Sequence, residues 1–509
     1  MVKGDLTIMD TRSLALQWFD KHRDQYIADL MDWITVPSVA HTDQAREGEP
    51  YGPDVAAMFR KVQSFATAHG LSTSNHEGYA ISVYEGAVEP RPQDRDFALV
   101  GHLDVVEPGP GWVSDPFTPY YRDGFVVGRG SDDNKGTSLL DLYLLLFLKE
   151  NGVRLQHPLR VLMGGSEEAG LDDMRYYVAH YGAPYQAIVT DSIFPLNYAQ
   201  KGDLIIRLHL PKPSSIITTE AGVAANAVPG LASITLEHVN AEQCRVLAQQ
   251  PGITIDSDPS ERDCRDEHSD DHNDMSNRVT ITANGISGHS AFPEGTVNAV
   301  RVLADAIVLS LDIDGNTRAI LQSLSAWSQP YGEGFGVQYH DDISADTTTN
   351  VAKLAIDGDD LVVLCDIRYA VTQNTDVLLN SIRSAVASVD GRVEVVEDSK
   401  PYYVDEQDYR VQTLLGAYNE ILGLHSRPQA MGGGTHARVI PGSINFGPGF
   451  PGDDPELVAS GKLPPKPDFV SGGAHGPNEW LNIDRHRLAF SIYALGLTRL
   501  DEQMSQRGE

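Results

Sequence analysis

The sequence predicts an α/β protein in which a mixed, mainly parallel sheet forms one domain, interrupted by an inserted α+β domain. Three observations predict it. Between Val100 and Gly170 short apolar runs alternate with helical stretches, the pattern of strands buried on both faces of a parallel sheet. After Lys201 and Gly202 strands of near-alternating pattern surround only two or three helices, which favours antiparallel pairing. From about Asp405 helical periodicity returns, so the tail is expected to rejoin the first domain. The predicted boundaries are 1–202 and 404–509 for the two parts of the first domain and 203–403 for the insert. A chain of 509 residues exceeds one ordinary domain, and two is the natural division.

Taken in order, Thr11 to Ile34 carries Leu14, Trp18, Tyr26, Ile27, Leu30 and Trp33 at helical spacing, with Pro37 soon after to end the helix. A second helix is predicted from Val55 to His69 and a strand, ISVYEG, from Ile81. FALV, FVV and LRVLM then read as three strands, each followed by a polar island. LLDLYLLLFL, from Leu139 to Leu148, falls well short of the ~20 residues a bilayer crossing needs and contains Asp141, so it reads as a buried helix. In the insert, LIIRLHL, ANAVPG, ASITLEHV, RVTITANG, DDLVVLCDIRYA and VEVVEDS read as strands and Asn298 to Leu311 as a helix. The run DSDPSERDCRDEHSDDHND, Asp256 to Asp274, has almost no apolar residues and reads as a solvated loop. The tail offers the helix VQTLLGAYNEILGL, a Gly- and Pro-rich loop system, and GGAHGPNEW leading into a closing helix.

Seventy-one acidic against 39 basic residues give a formal charge of −32. That field repels nucleic acid and anionic membranes, whose binding requires Lys and Arg to replace counterions. The three cysteines, Cys244, Cys264 and Cys365, form no CxxC pair, so neither a disulfide framework nor a thiolate zinc site is expected. The start MVKGDLTIMDTRS lacks the apolar stretch of a secretion signal, and the expected location is the cytoplasm.

The three islands are GHLDVV at Gly101–Val106, GRGSDDNKG at Gly128–Gly136 and GGSEEAG at Gly164–Gly170. Each is expected at a strand's carboxyl end, where open α/β sheets bind ligands. In HLD, residues two apart on a strand share a face, so Asp104 can accept one N–H of His102 and orient the ring toward a metal. The second island leaves Asp132 or Asp133 at the mouth of the sheet. The third places Glu167 and Glu168 side by side, diverging, which permits one metal ligand and one free base. Asp191 follows the strand QAIVT, and His475 lies in a loop far downstream. Singly, each has an ordinary structural explanation: a hydrogen-bonded His, an acidic helix start, a turn Asp, an exposed loop His. Together, two histidines and at least three carboxylates suit borderline-hard divalent cations such as zinc.

With these residues assembled, the chain resembles the dinuclear zinc metallopeptidases that include carboxypeptidase G, aminoacylase, carnosinase and, nearest in its motifs, the bacterial dipeptidase V type. The resemblance rests on the order HLDVV, GRGSDDNKG, GSEEAG, TDSIFP, GHSAFPEGTVNA, GGGTHAR and AHGPNE, together with GWVSDPF and the long insert, and it spans nearly the whole chain. It implies a zinc-exopeptidase-like catalytic domain with the insert as a lid. It further implies two divalent ions, zinc foremost with manganese and cobalt sharing such ligands: one held by His102, Asp133 and Asp191, the other by Asp133, Glu168 and His475. Asp133 is preferred to Asp132 as the bridge because the family's bridging Asp stands two residues before the Lys, here Lys135. Glu167 is implied as general base, Asp104 as orienter of His102, His289 as the oxyanion donor, and Asn226 and Arg368 as contacts to substrate. The implied activity is that of a metal-dependent dipeptidase acting on short peptides with a free C-terminal carboxylate, working as a monomer. The alternatives are an N-acyl amino acid amidohydrolase and a metal-binding or scaffolding protein without catalysis. Four departures from the family pattern bear on substrate preference: Asn134 where Asp or Met is frequent, Ile193 where Glu is common, His436 for a frequent Tyr, and Gly476 with Trp480 in the last motif.

Overall fold

The structure is a computed structural model that describes residues 8–237, 239, 241–257, 278–450, 455–466 and 472–509. Residues 258–274 of the acidic run, Cys264 among them, lie outside the described residues, while Asp256 and Ser257 end a strand, Ile253–Ser257. The chain divides into two compact units: Met1–Tyr198 with Val404–Gln429 and Thr435–Glu509, and Ala199–Tyr403 with Ala430–Gly434. The short segment Ala430–Gly434 thus joins the inserted unit although the chain around it does not.

The first unit contains α1 (Ile8–Ile34), α2 (Pro53–Ala68), β1 (Ser72–His76), β2 (Ala80–Tyr84), β3 (Phe97–His102), β4 (Tyr120–Arg122), β5 (Phe125–Val127), α3 (Lys135–Asn151), β6 (Leu159–Gly164), α4 (Asp172–Tyr181) and β7 (Gln186–Val189). Its main sheet runs in the order β1, β2, β6, β3, β7, Ile444–Asn445, Asn197–Gln200. The centre is parallel, since β3 pairs in parallel with both β6 and β7 and Ile444–Asn445 continues this beside β7. The flanks are antiparallel. Every residue of β3, β6 and β7 is buried, as expected of strands covered by helices on both faces. Helix α3 is buried from Lys135 to Leu148, which accounts for its largely apolar sequence. Among the described residues no helix is long and apolar enough to cross a membrane. Helix α1 packs on the closing helix Ile483–Arg507, where Trp18 stacks on Phe490 at 5.6 Å between ring centroids.

Two expectations for strands need correction. FVV does form β5, but β5 pairs antiparallel with β4 and with Trp480–Asn482 in a separate three-stranded sheet. The second island therefore does not leave the main sheet, and a three-residue apolar run carries no information about which sheet it joins. ANAVPG is a loop whose single bridge pairs Ala227 with His289; its Pro229 cannot donate to a ladder.

One buried cation in the first unit is well accounted for. Arg160 in β6 is fully buried, and its guanidinium meets Asp96 at 2.6 Å and Glu89 at 3.1 Å. Paired in this way, the charge is tolerated in the interior.

The second unit is built on an eight-stranded sheet in the order Ile253–Ser257, Val279–Asn284, Leu231–Leu236, Ile216–Ala221, Thr348–Asp357, Asp360–Tyr369, Gly202–Pro211, Arg392–Ser399. All of these pairings are antiparallel. Helices Ala299–Ser310, Gly315–Trp327 and Thr375–Ala387 contribute Leu303, Ile307, Ile320, Leu324, Leu378 and Ile382 to its own apolar core. Three N-caps, Asn298, Asp314 and Asn374, accept backbone N–H groups of the turns they start.

Candidate metal centre

Three adjacent parallel strands deliver the first groups of the centre. His102 ends β3, Glu167 and Glu168 follow β6, and Asp191 follows β7. These three contributions arrive at strand carboxyl ends, as open α/β sheets require. Asp133 comes from the loop between β5 and α3, and His475 from the loop before the strand Trp480–Asn482.

The side chains converge. His102 Nε2 lies 3.0 Å from Asp133 Oδ1 and 3.7 Å from Asp191 Oδ2. His475 Nε2 lies 3.2 Å from Asp133 Oδ2 and 3.0 Å from Glu168 Oε2. Asp133 thus presents one oxygen to each imidazole, whereas Asp132, its neighbour, lines a separate cavity with Trp480 and Arg485. Donor atoms of His102, Asp133 and Asp191, of His102, Glu167 and Glu168, and of Asp133, Glu168 and His475 each fall within 4.8 Å of one another.

Asp104 lies beside both His102 and the Glu167–Glu168 turn. Its Oδ1 is 3.3 Å from His102 Nδ1, whose closer neighbour is the Asp104 backbone oxygen at 3.0 Å. The carboxylate also accepts the backbone N–H of Glu167 on Oδ1 at 3.0 Å and of Glu168 on Oδ2 at 3.1 Å. One fully buried carboxylate therefore fixes both the imidazole and the Glu–Glu turn. Lys135 points elsewhere: its Nζ donates to the carbonyls of Trp33 and Val36 at the end of α1, where a cation suits the helix dipole.

Two further acids organise the loops, and neither was singled out in the sequence. Glu479, fully buried, accepts the N–H of Asp132 and of Asp133 on Oε1, at 2.8 and 3.0 Å, and Gly130 N–H and Arg129 Nη1 on Oε2, at 3.0 and 2.6 Å. Arg129 Nη2 in turn donates to the carbonyls of His475 and Gly476. Asp173 accepts the N–H of Ser166, and both its oxygens lie 3.1 Å from Nε2 of the buried His436. A Cβ at Gly164 would lie 1.9 Å from Asp173 Oδ2, so that close approach requires glycine. The signal available for Glu479 was its place four residues after His475 in AHGPNEW, beside glycine-rich loops whose backbone N–H groups need an acceptor.

The electrostatics test whether cations fit. Burial, with Asp191 next, pushes Glu167 well above the usual carboxylate range, and burial together with Asp133 pushes Glu168 up to about 7. Asp191 is likewise raised by burial. Burial opposes ionisation of Asp133 too, yet hydrogen bonds from His102 and His475 hold it below the ordinary value. His475 is raised by its hydrogen bonds to Asp133 and Glu168. Four carboxylates crowded around two imidazoles are short of positive charge, and divalent ions with mixed nitrogen and oxygen ligation supply it. The residues present fit such ions.

The remaining predicted residues sit in the second unit. Asn226 and His289 are neighbours there: Ser290 N–H donates to Asn226 O at 3.0 Å, and His289 Nδ1 accepts the N–H of Ala291 at 3.1 Å. Arg368, on the strand Asp360–Tyr369, is buried and grips Asp366 through Nε and Nη2 at 2.9 and 3.1 Å, with Asp203 2.7 Å from Nη1. Asp366 also accepts the hydroxyl of Ser290 at 2.5 Å, linking Arg368 to the segment that carries His289.

An α/β body whose parallel strand ends present one imidazole and three carboxylates, joined by Asp133 and His475 from two loops in three overlapping groups, is a framework suited to divalent metal ions. The chain belongs to peptidase family M20/M25/M40, whose model matches residues 98–498. It is similar to the putative dipeptidase YtjP of Bacillus subtilis (strain 168), 26% identical over 489 residues, covering 94% of this chain and 98% of the relative. It is similar also to the Beta-Ala-Xaa dipeptidase of Lactobacillus delbrueckii subsp. lactis, 26% identical over 498 residues, covering 95% and 97%. Among solved structures, human carnosine dipeptidase 1 shares the fold with a TM-score of 0.55 at 13% identity, over 96% of this chain and 99% of that one. The di-peptidase Dug1p from Saccharomyces cerevisiae does so with a TM-score of 0.56 at 14% identity, over 96% and 98%.

Proposed function

We propose that the protein is a metal-dependent dipeptidase that hydrolyses short peptides with a free C-terminal carboxylate. The observation that carries the reading is Asp133, one oxygen toward His102 and the other toward His475, with Glu167 and Glu168 held beside them. That arrangement suits two ions sharing one carboxylate: His102, Asp133 and Asp191 for the first, Asp133, Glu168 and His475 for the second. Zinc is the ion of choice, manganese and cobalt sharing such ligands. Support for a dipeptide substrate comes from the dipeptidase relatives, matched over nearly their full length.

Divalent ions, if bound by His102, Asp133, Asp191, Glu168 and His475, would supply Lewis acidity toward the scissile carbonyl and lower the pKa of a nearby water molecule. Glu167 takes the water's proton and returns it to the leaving amine. Asp104 keeps Glu167 in place through its backbone N–H and fixes the ring of His102. In the second unit, His289 serves as donor to the tetrahedral oxyanion, Asn226 as a substrate contact and Arg368 as receiver of the terminal carboxylate. Their proximity in that unit, with Asp366 fixing the orientation of the Arg368 guanidinium, supports this assignment. Residues 1–202 and 404–509 serve as the catalytic domain and 203–403 as an inserted lid. The protein acts in the cytoplasm as a monomer, in keeping with the free thiols of Cys244 and Cys365.

The test is a rate comparison between free dipeptides and N-acetylated amino acids. Faster turnover of the free dipeptides is expected; faster turnover of the capped compounds contradicts the substrate assignment and favours an amidohydrolase of N-acyl amino acids. Turnover of neither by the metal-loaded protein favours a non-catalytic metal-binding role.

A further inference from the structure

We infer that Asn134 is the positioning residue that decides which oxygen of Asp191 is presented to a cation, an inference that rests on the metal-centre reading above. Asn134 stands at the N-cap of α3, yet its side chain caps no backbone N–H. It bridges two groups of the centre instead. Its Oδ1 accepts the backbone N–H of His102 at 3.3 Å and lies 3.1 Å from the hydroxyl of Ser138, which is shared with the His102 carbonyl at 3.0 Å. A backbone N–H aimed at one end of the amide makes that end the oxygen. The other end, Nδ2, is therefore the donor that meets Asp191 Oδ1 at 2.9 Å. With Oδ1 engaged, Asp191 turns Oδ2 toward the centre, 3.7 Å from His102 Nε2.

A second observation shows that the fold makes room for this contact. A Cβ at Gly101 would lie 2.6 Å from Asn134 Oδ1 and 2.7 Å from Ser138 Oγ. Only glycine at that position of β3 lets the amide sit against the strand that ends in His102. Asn134 is 1% exposed, so water does not replace a lost donor. Aspartate at position 134 would set one carboxylate against another and add a negative charge to a cluster that already has four. Leucine would fill similar space and donate nothing. The amide thus gives Asp191 a fixed direction at no cost in charge.

The test uses the full-length protein and its Asn134→Leu and Asn134→Asp variants, with Ser138→Ala as a control that loosens the same amide without removing its donor to Asp191. Cobalt(II) binding is followed by titration calorimetry and by the visible absorption of the bound ion, which reports coordination. Each Asn134 variant is expected to bind one of two ions about 10- to 100-fold more weakly, with a changed absorption band, while the other ion is little affected. Ser138→Ala is expected to lose much less. Wild-type affinity and absorption in both Asn134 variants would overturn the inference, as would an equal loss in Ser138→Ala, which would mark generic loosening. Should Asn134→Leu fail to fold, Asn134→Asp carries the same readout. A wild-type protein that binds two ions and hydrolyses peptides, with unchanged Asn134 variants, sinks this inference alone; a wild type that binds no such pair sinks the metal-centre reading with it.

Discussion

The carboxylate of Glu479 accepts the backbone N–H of Asp133 at 3.0 Å, although the two residues lie in loops 346 positions apart along the chain. The same side chain is paired with Arg129, and Arg129 reaches the carbonyl of His475. Glu479 consequently ties the backbone that presents Asp133 to the backbone that presents His475. Removing one partner of a buried, hydrogen-bonded pair leaves an uncompensated charge and unpaired N–H groups. Glu479→Ala is expected to lower unfolding free energy by about 3–5 kcal/mol in urea titrations, and Glu479→Gln by less. A loss within about 0.5 kcal/mol, the range of an ordinary surface substitution, would show that the loops are held by something else.

Glu167 separates binding from chemistry. As a base that accepts a proton from water, it should be dispensable for holding ions and necessary for hydrolysis. Glu167→Ala is expected to retain bound metal and to lose about 10²- to 10⁴-fold in kcat. Unchanged turnover would refute the role assigned to it.

Chelation tests the ions as a structural as well as a catalytic element. The centre crowds carboxylates that ionise readily only beside positive charge, so stripping the ions should abolish hydrolysis and lower the melting temperature. Readdition at a free concentration of about 100 times Kd should return about 2.7 kcal/mol of stability for each ion bound. Full activity in exhaustively chelated protein would count against metal-dependent chemistry.

Acid should weaken the fold in a window set by two buried groups away from the centre. Burial pulls His486 from 6.5 down to about 3. Its Nδ1 lies 2.7 Å from the hydroxyl of Tyr26, which donates to Gly136 O, so the neutral ring carries its proton on Nδ1. Burial tends to raise Glu89, but hydrogen bonds from His76 and Ser82, with the charges of His76 and Arg160, outweigh it and hold the carboxyl at about 2 instead of 4.5. Both groups are depressed in the folded state, so the unfolded chain binds the proton first and stability is lost as pH falls: from 6.5 toward 3 for His486 and from 4.5 toward 2 for Glu89. Urea unfolding at a series of pH values, with metal held saturating, should show this decline, and His486→Gln should flatten its upper part. Constant stability from pH 7 to 4 would contradict the account.

The sequence was most informative where position along a strand determines direction. His102, Glu167, Glu168 and Asp191 follow strands of a parallel sheet, and such strands are recognisable from continuous apolar runs. The choice between Asp132 and Asp133 was not available from spacing, since both stand in one turn, and it took a family resemblance to prefer Asp133. Glu479 escaped notice because its four partners become its neighbours only when loops some 350 residues apart meet. β5 was assigned to the wrong sheet because three apolar residues reveal burial but not a pairing partner. Asn134 looked like a mere departure from the family pattern, and its use became visible only with Gly101 and Asp191 placed around it.

The most direct test of the central claim is anomalous X-ray scattering at the zinc edge from crystals of the zinc-loaded protein. The account predicts two peaks about 3.5–4 Å apart, flanking the carboxylate of Asp133, one beside His102 and Asp191 and the other beside His475 and Glu168. Absence of anomalous density among these residues, or a single peak away from Asp133, would contradict it.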